Sequence, residues 1–384
     1  MTQTVLLGDV ADINVESVGK NYVHDKILYL DTSSVTENTF SGLQSFALSD
    51  APSRAKRIIR DGDIVYSTVR PNLKHFGYIK NPTANTVAST GFAVIRAKEE
   101  IDSKYLYYWL TSDERTEYLT AIADSQTSTF PAFNPAILAK LKIEIPEIKK
   151  QKKIADILGS LDDKIELNRK MNETLEQMGQ ALFRHYFIDN PEAEKWEEKP
   201  ISNQVEILSG GTPKTSESSY WGGDIPWFSV LDAPSGSNLF TINTTKNITD
   251  EGLKNSAAKI IPKYTTIISA RGTVGKLALA GRAMTINQSC YALRSEMPFY
   301  TYLMIDHSLG EIKSRVHGSV FDTITRNTFD QLKFKVPPTT HLKQFEEEIE
   351  PLFRQMLSNV EQIQTLTTLR DTLLPRLISG KVKV

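Results

Sequence analysis

The residues best suited to chemistry in this 384-residue chain lie in three short polar stretches. Ser269-Ala-Arg-Gly-Thr-Val-Gly-Lys276 approaches a phosphate-binding loop. That loop needs a glycine, four intervening residues, Gly-Lys and then Ser or Thr, and here the outer positions are Ala270 and Leu277. The pattern fails at both ends, and the stretch reads instead as a strand ending in a tight basic turn. Its tip carries Arg271, Thr273 and Lys276, and Gln288 follows a short way on. Ser67-Thr-Val-Arg-Pro-Asn-Leu-Lys74 is the positional counterpart, with Arg70 and Lys74 at places equivalent to the Arg and Lys of the later turn and His75 beside them. Leu208-Ser-Gly-Gly-Thr-Pro-Lys-Thr-Ser216 is a Gly/Pro loop carrying Thr212 and Lys214, followed by Tyr220-Trp-Gly-Gly-Asp-Ile-Pro-Trp227. Its plainer reading is a surface loop with aromatic packing behind it. Side chains of these types bond phosphates and base edges, so the nine named residues form a candidate nucleic-acid-binding set.

Catalytic constellations are missing. The six histidines show no metal-ligand spacing. There is no Gly-x-Ser-x-Gly elbow, and neither an Asn-Pro-Pro-aromatic nor a glycine-rich adenosylmethionine signature. Asp162-Asp163 falls on a long amphipathic stretch and reads as a solvated face. The chain is expected to be non-catalytic, with no cofactor of its own. A 40% hydrophobic and 24% charged composition fits a globular chain with room for two or three domains. A single cysteine, Cys290, excludes an internal disulfide and fits a reducing cytoplasm. No apolar run approaches 18 residues, and the N-terminal stretch does not read as a signal peptide.

Net charge is −1, yet the charges are not evenly spread. Basic residues gather in the globular parts: Arg54, Lys56, Arg57, Arg60, Arg70, Lys74 and Lys80 in the first half, Lys254, Lys259, Lys263, Arg271, Lys276, Arg282, Lys313, Arg315 and Arg326 in the second. Acids such as Glu346, Glu347, Glu348 and Glu350 sit on the amphipathic stretches. Basic loops over acidic rods suit polyanion binding at the loops.

The elements that would position these loops occur twice. Residues 1–146 show short β-rich runs, Lys26–Asp31, Asp63–Val69, Thr90–Arg96 and Leu141–Pro146, and a helical run over Ser103–Leu119 that Ser103 is placed to cap. Residues 147–190 hold a long helix with apolar residues at Ile154, Ile157, Leu158, Leu161, Ile165, Met171, Leu175, Met178 and Leu182, ending near Asn190-Pro191. Residues 191–337 repeat the globular plan, and 338–384 repeat the helix through Leu342, Phe345, Ile349, Leu352, Phe353, Met356, Val360, Ile363, Leu366, Leu369, Leu373 and Leu377. Ile58-Ile59 and Ser67 match Ile260-Ile261 and Ser269 at an offset of 202. Val87 and Phe92-Ala-Val match Ile286 and Tyr291-Ala-Leu at 199. Ser128-Thr-Phe130 matches Ser319-Val-Phe321, and Lys142–Pro146 matches Lys333–Pro337, both at 191.

About 35 helical residues make a rod of ~50 Å, roughly 15 base-pair rises. Two such rods bury their stripes most simply against each other, antiparallel, in a coiled-coil seam. Asn168 interrupts the first stripe and either sets register or faces solvent. Pro375 should loosen the last turns of the second rod, and Gly380 should stop it.

Taken in order, the Gly-Gly-Thr-Pro loop, Tyr-Trp-x-x-x-Ile-Pro-Trp, Arg-Gly-x-x-Gly-Lys, the helix start Pro146-x-x-x-x-Gln-Lys-Lys-Ile-Ala-x-Ile-Leu158 and the ending Leu373-Leu-Pro-Arg-Leu-Ile-Ser-Gly380 resemble a type I restriction–modification specificity subunit. The resemblance covers nearly the whole chain. It implies an α+β dumbbell: two pseudo-repeated α/β target-recognition domains separated by a long antiparallel two-helix coiled-coil spacer. Each domain would read one half of a split, asymmetric double-stranded DNA target. Ile154, Leu158, Leu161, Leu175, Leu182, Ile349, Met356, Ile363 and Leu373 would form the spacer and dock partners. Those partners would be two modification subunits using S-adenosylmethionine and, in the full complex, restriction subunits using ATP and Mg. The first domain opens with Leu7-Gly-Asp-Val-Ala-Asp-Ile-Asn14 and lacks the Gly-Thr-Pro loop, so loop residues carry over more securely to the second half. The competing expectation is a duplicated coiled-coil adaptor that binds protein partners alone.

Overall fold

The computed structural model describes residues 3–126, 131–236, 238–317 and 323–384. The chain forms two compact units, Met1–Asp163 with Thr367–Val384, and Lys164–Leu366. The Ser128–Phe130 and Ser319–Phe321 match lies outside the described residues.

The first unit holds β1 (Gln3–Leu6), β2 (Ala11–Ile13), β3 (Lys26–Leu30), β4 (Gln44–Ala47), β5 (Ala55–Ile58), β6 (Ile64–Ser67), β7 (Phe76–Tyr78), β8 (Thr86–Ser89), β9 (Phe92–Ala97) and β10 (Lys142–Ile145). Two four-stranded sheets have the orders β4-β3-β8-β5 and β2-β9-β6-β7, and β1 pairs with β10. In each sheet apolar runs face inward: all four residues of Ile64–Ser67 and of Thr86–Ser89 are buried. The helical run expected over Ser103–Leu119 is two helices, α1 (Ser103–Leu110) and α2 (Asp113–Gln126). Its cap is Asp102 rather than Ser103, since the Asp102 carboxylate accepts from the Tyr105 amide at 2.9 Å.

The second unit repeats this plan with β11 (Glu198–Pro200), β12 (Glu206–Ser209), β13 (Trp221–Phe228), β14 (Phe240–Thr241), β15 (Lys246–Ile248), β16 (Ile260–Ile261), β17 (Thr266–Ser269), β18 (Leu277–Ala280), β19 (Met284–Ile286), β20 (Cys290–Arg294) and β21 (Lys333–Lys335). Its sheets run β15-β13-β19-β16 and β12-β20-β17-β18-β14, and β11 pairs with β21. The orders of these sheets correspond strand for strand, with one extra edge strand in the second unit, while the first unit adds a small hairpin, Val35–Thr36 with Thr39–Phe40. Even the parallel pair of the first unit's β4-β3-β8-β5 sheet recurs: β8 with β3, and β19 with β13.

Register corrects one of the sequence matches. Val87 lies opposite Tyr29 and Ile58, while Thr285, not Ile286, lies opposite Trp227 and Ile260. Phe92 pairs with Ser67, and Cys290, not Tyr291, pairs with Ser269. The offset on these strands is therefore 198 rather than 199. A one-residue slip sends every side chain to the opposite face, so the slip matters.

The long helices are α3 (Ile148–Phe183) and, after α4 (Pro298–His317), α5 (Thr339–Ile378). Helix α3 widens into a π-turn over Arg184–Ile188 and ends there, just before Asn190-Pro191 as expected, and Asn190 caps the next short helix by accepting from the Glu192 amide at 2.9 Å. Helix α5 runs unbroken through Pro375, contrary to the expected loosening. Pro375 and Asp371, whose carbonyl loses its helical donor, are both exposed, so water can take the donor's place. Gly380, at φ +70°, closes the helix as anticipated, its amide donating to Leu377 O at 3.1 Å.

Each stripe does more than meet its partner helix. In the first unit Ile154, Leu158 and Leu377 join Tyr105, Leu106 and Trp109 in one buried cluster. In the second, Ile349, Phe353 and Met356 join Phe183, Phe299 and Leu303. Fully burying a side chain such as Leu158 stabilises by about 1.5–3 kcal/mol, so these clusters weld helix to sheet domain. Within the second unit α3 and α5 run antiparallel: Asn168 Nδ2 donates to Gln362 Oε1 at 3.3 Å, and Asn359 Nδ2 to Asn172 Oδ1 at 2.8 Å. Asn168 is buried, which removes the solvent-facing alternative.

Candidate nucleic-acid interface

In the second half three loops are joined through their backbones. The Gly210 amide donates to Cys290 O at 3.4 Å and the Gly211 amide to Ile286 O at 3.0 Å. Both glycines are required by close approach: a Cβ at Gly210 would sit 2.0 Å from Asn287 O, and one at Gly211 2.3 Å from the Ala257 carbonyl carbon. Behind them, buried Trp227 donates from Nε1 to Gly211 O at 2.9 Å, and Trp221 stacks edge-on to it at 5.1 Å while donating to Lys214 O. The aromatic backing is thus what holds the Gly-Gly-Thr-Pro loop, leaving Lys214 exposed and Thr212 half-buried. Asn287–Ser289 then meets the basic turn, because the Ala270 amide donates to Ser289 O at 2.7 Å.

The turn itself is closed by Ser269. Its hydroxyl accepts from the Lys276 amide at 2.8 Å and donates to Thr273 O, while its carbonyl accepts from the Gly275 amide at 2.9 Å. Gly272 and Gly275, each at φ +77°, supply the left-handed residues that such a tight reversal needs. Arg271, Thr273, Lys276 and Gln288 are all exposed. Six of the candidate residues, Thr212, Lys214, Arg271, Thr273, Lys276 and Gln288, therefore share one loop cluster.

The first half has the same frame. Ser67 Oγ donates to Val69 O at 2.8 Å, the Thr68 amide donates to Gly91 O at 2.9 Å, and the Phe133 amide donates to Thr68 O at 3.0 Å. The last bond has its counterpart in Ile324 N to Ala270 O, also 3.0 Å. Charge placement differs, which corrects the expected equivalence of Arg and Lys. The left-handed positions are filled by Arg70 (φ 47°) and Lys74 (φ 53°), where the second half has Gly272 and Gly275. A non-glycine residue there costs about 1 kcal/mol, so two of them mark a strained turn.

Not every basic candidate is unengaged. Lys74 Nζ lies 2.9 Å from Asp113 and 3.2 Å from Glu37. Burial alone would lower its pKa, but these two carboxylates outweigh that and hold it above the usual value. His75 Nδ1 lies 2.6 Å from Val35 O and 3.1 Å from Thr36 Oγ1, so it is spent on local structure. Arg60 pairs with Glu16, Lys80 with Asp163 and Arg315 with Glu311. Arg70 is exposed beside Lys74, its amide donating to Pro131 O at 2.8 Å.

One feature escaped the sequence reading. Directly after β3 and after β13, at an offset of 198, each half makes a short 3-10 turn, Thr32–Ser34 and Val230–Asp232, closed by a carboxylate. In the first, Asp31 accepts from Ser33 N, Ser33 Oγ and Tyr29 OH. In the second, Asp232 accepts from the amide and hydroxyl of both Ser229 and Thr245, at 2.6–2.8 Å. Burial would raise the Asp232 pKa, but Thr245 and Ser229 outweigh it and keep the carboxyl below its usual value. No glycine or repeated motif marks either turn; only the acid beside hydroxyl residues could have signalled them.

The proposed docking residues are mostly committed inside the molecule. Ile154, Leu158, Ile349 and Met356 are buried, and Leu161, Leu175, Leu182, Ile363 and Leu373 are half-buried. They build the spacer seam rather than a free surface. Large apolar side chains left exposed on the two helices are Ile148, Ile157, Leu167, Met178 and Leu369, so Ile157, Met178 and Leu369 fall outside the buried stripes expected to hold them. Among the described residues no helix is long and apolar enough to cross a membrane, and no group of three or more His, Cys, Asp or Glu is placed to hold a metal ion.

Comparison with known proteins agrees with the duplication. The family model for the type I restriction modification DNA specificity domain matches residues 2–177 and again residues 193–367. The type I restriction enzyme HindI specificity subunit of Haemophilus influenzae is 27% identical over 461 aligned positions, covering 98% of each chain. The MjaIX specificity subunit of Methanocaldococcus jannaschii is 28% identical, covering 85% of this chain and 79% of its own. The solved S subunit of a type I restriction–modification system from M. genitalium superposes with a TM-score of 0.61 at 15% identity, covering 98% of this chain and 96% of that one, and so shares the fold. With both of its halves matched, the chain belongs to the type I restriction–modification DNA specificity family.

Proposed function

We propose that this chain is the sequence-specific DNA-recognition subunit of a type I restriction–modification complex, each globular domain reading one half of a bipartite, asymmetric target. The observation that carries the reading is the pair of like frames with unlike loops. Equivalent backbone bonds anchor the strand-end turn in both halves, Thr68 N to Gly91 O and Phe133 N to Thr68 O in one, Ala270 N to Ser289 O and Ile324 N to Ala270 O in the other. The turn itself closes differently and presents Arg70 in the first and Arg271, Thr273 and Lys276 in the second. Two frames of one design with different side chains suit two different half-sites, with Arg and Lys supplying phosphate or base contacts.

Catalysis belongs to partners in this reading. Two modification subunits bring S-adenosylmethionine, restriction subunits bring ATP and Mg, and the chain works in the cytoplasm as a non-catalytic address. The helices space the half-sites, and their exposed Leu167, Met178 and Leu369 offer apolar ground for docking modification subunits. The test is a genome-wide map of methylated adenines in a host with and without the chain. A split motif that disappears with the chain is expected. An unchanged map refutes DNA specificity, and failure to shift any duplex even with the modification subunit present favours the adaptor.

A further inference from the structure

The 3-10 turn after β13 presents Leu231 with 83% of its surface exposed. A single exposed leucine is unremarked on most protein surfaces. This one differs in how it is held and where. Four hydrogen bonds to the Asp232 carboxylate fix the turn, and Thr241 Oγ1 adds a fifth to Asp232 O at 3.0 Å. The strand end leading into it is bonded to the polar loop cluster, since the Asn287 amide donates to Phe228 O at 2.8 Å and Gln288 follows directly. Asn287–Ser289 in turn supports the Arg271 turn through Ala270. Leu231 is therefore a stiffly mounted apolar tip on the same loop cluster as the exposed Arg271, Thr273, Lys276 and Gln288.

The first half places a 3-10 turn at the same point but holds it from the other end, through Asp31 rather than through a residue at the place of Asp232. Ser33 stands at the position of Leu231, its amide and hydroxyl bound to Asp31, and the turn abuts Gly91, where an added Cβ would meet Thr32 at 2.8 Å. Gly91 O then accepts from Thr68, at the head of the Arg70 turn. A 3-10 turn kept at the same place in both halves, closed by Asp31 at its start in one and by Asp232 at its end in the other, carries a hydroxyl already bound to its own turn at Ser33 and an unengaged isobutyl group at Leu231, so the two halves present different chemistry there.

Resting on the proposed DNA-reading function, we infer that Leu231 is a specificity-determining residue of the second domain, making apolar contact with the 5-methyl group of a thymine. In the major groove that methyl is the one apolar feature a base pair offers, so a rigid leucine among donors would select for it.

The experiment uses the full chain assembled with its modification subunits. Selection from a random duplex library gives the motif, and each thymine of that motif is then replaced by uracil, which removes only the methyl. One replacement should weaken wild-type binding about fourfold, the value of one buried methyl-sized group. Leu231→Ala should bind the thymine duplex at least as weakly and be indifferent to that replacement, with unchanged thermal melting. The assignment is overturned if the wild type ignores every replacement, if Leu231→Ala responds to them as the wild type does, or if the variant's melting temperature falls, marking a packing role. A wild-type complex that selects no motif at all would instead overturn the proposed function itself.

Discussion

Replacing Asn172 by alanine should loosen the helix seam of the second unit more than the loss of one side chain suggests. Asn172 donates to Met356 O at 3.3 Å and accepts from Asn359 Nδ2 at 2.8 Å, and both asparagines are buried. Gln355 Nε2 donates to Asn359 Oδ1 at 2.8 Å and can go on doing so in the variant, but the buried Asn359 amide donor loses its partner. An unpaired buried donor costs about 1–3 kcal/mol, and the vacated volume adds a fraction of that, so a loss of roughly 2–4 kcal/mol is expected. The double replacement Asn172→Leu with Asn359→Leu removes both partners and fills the space, and should fall within about 1 kcal/mol of the wild type. Hydrogen exchange of peptides spanning 168–183 and 349–362 reads this opening locally, without requiring the whole chain to unfold in one step. Wild-type protection in Asn172→Ala, or equal loss in the single and double variants, would refute the argument. If the asparagine pair fixes register, the double-leucine complex should also tolerate more than one gap length in its methylated target.

Other expectations follow from the same geometry. Arg271→Ala and Lys276→Ala should each reduce the salt dependence of DNA binding by about one counterion, whereas Lys74→Ala should reduce it by clearly less, because Glu37 and Asp113 already occupy that ammonium; equal slopes for all three would contradict this. Gly211→Ala places a Cβ against the Ala257 backbone, which cannot rotate away, so it should abolish discrimination at one half of the motif and spare the other, as read by methylation mapping. Burial raises the Glu346 pKa to about 7, with Glu350 adding to the rise, against the pull of the Phe299 and Tyr300 amides it accepts from. The folded state therefore holds that proton more tightly than the unfolded chain. The stability it lends is full below the ordinary carboxyl range and is lost as pH rises through 7. Melting curves from pH 5 to 8 should flatten in Glu346→Gln. They should not become level, because burial with the Asp306 charge also raises Glu176 to about 7; parallel curves for variant and wild type would refute the assignment.

The helices were legible because a 3.6-residue period over some 35 positions leaves little room for another fold, and Ile154, Leu158, Ile349 and Met356 indeed face inward. What they pack against was not legible, since no local pattern says that Leu158 meets Tyr105 and Trp109 as well as the facing helix. The match at offset 199 was correct in kind and wrong by one residue, because Phe92-Ala-Val beside either Cys290-Tyr-Ala or Tyr291-Ala-Leu reads as an apolar run while only the ladder fixes the face. Among site residues, exposure of Arg271, Thr273, Lys276 and Gln288 agrees with their glycine-flanked polar setting. Lys74 and His75 could not be judged, because Glu37, Asp113 and Val35 lie 35 to 40 residues away in sequence and are brought beside them only by the fold. Leu231 was invisible for a related reason: its mounting depends on Thr245, which belongs to another loop.

The bonds that join the recognition loops are mostly made by main-chain atoms: Gly211 to Ile286, Asn287 to Phe228, Ala270 to Ser289, Ile324 to Ala270 and, in the other half, Thr68 to Gly91. Main-chain bonds do not depend on which side chain the residue carries. Arg271, Thr273 and Gln288 can therefore drift through many residue types at little cost in stability, because nothing in the frame relies on their side chains. Mutation is penalised at the glycines and at Trp227, and is cheap at the tips between them. A lineage under pressure to change its target can thus explore new addresses one substitution at a time without first risking the fold.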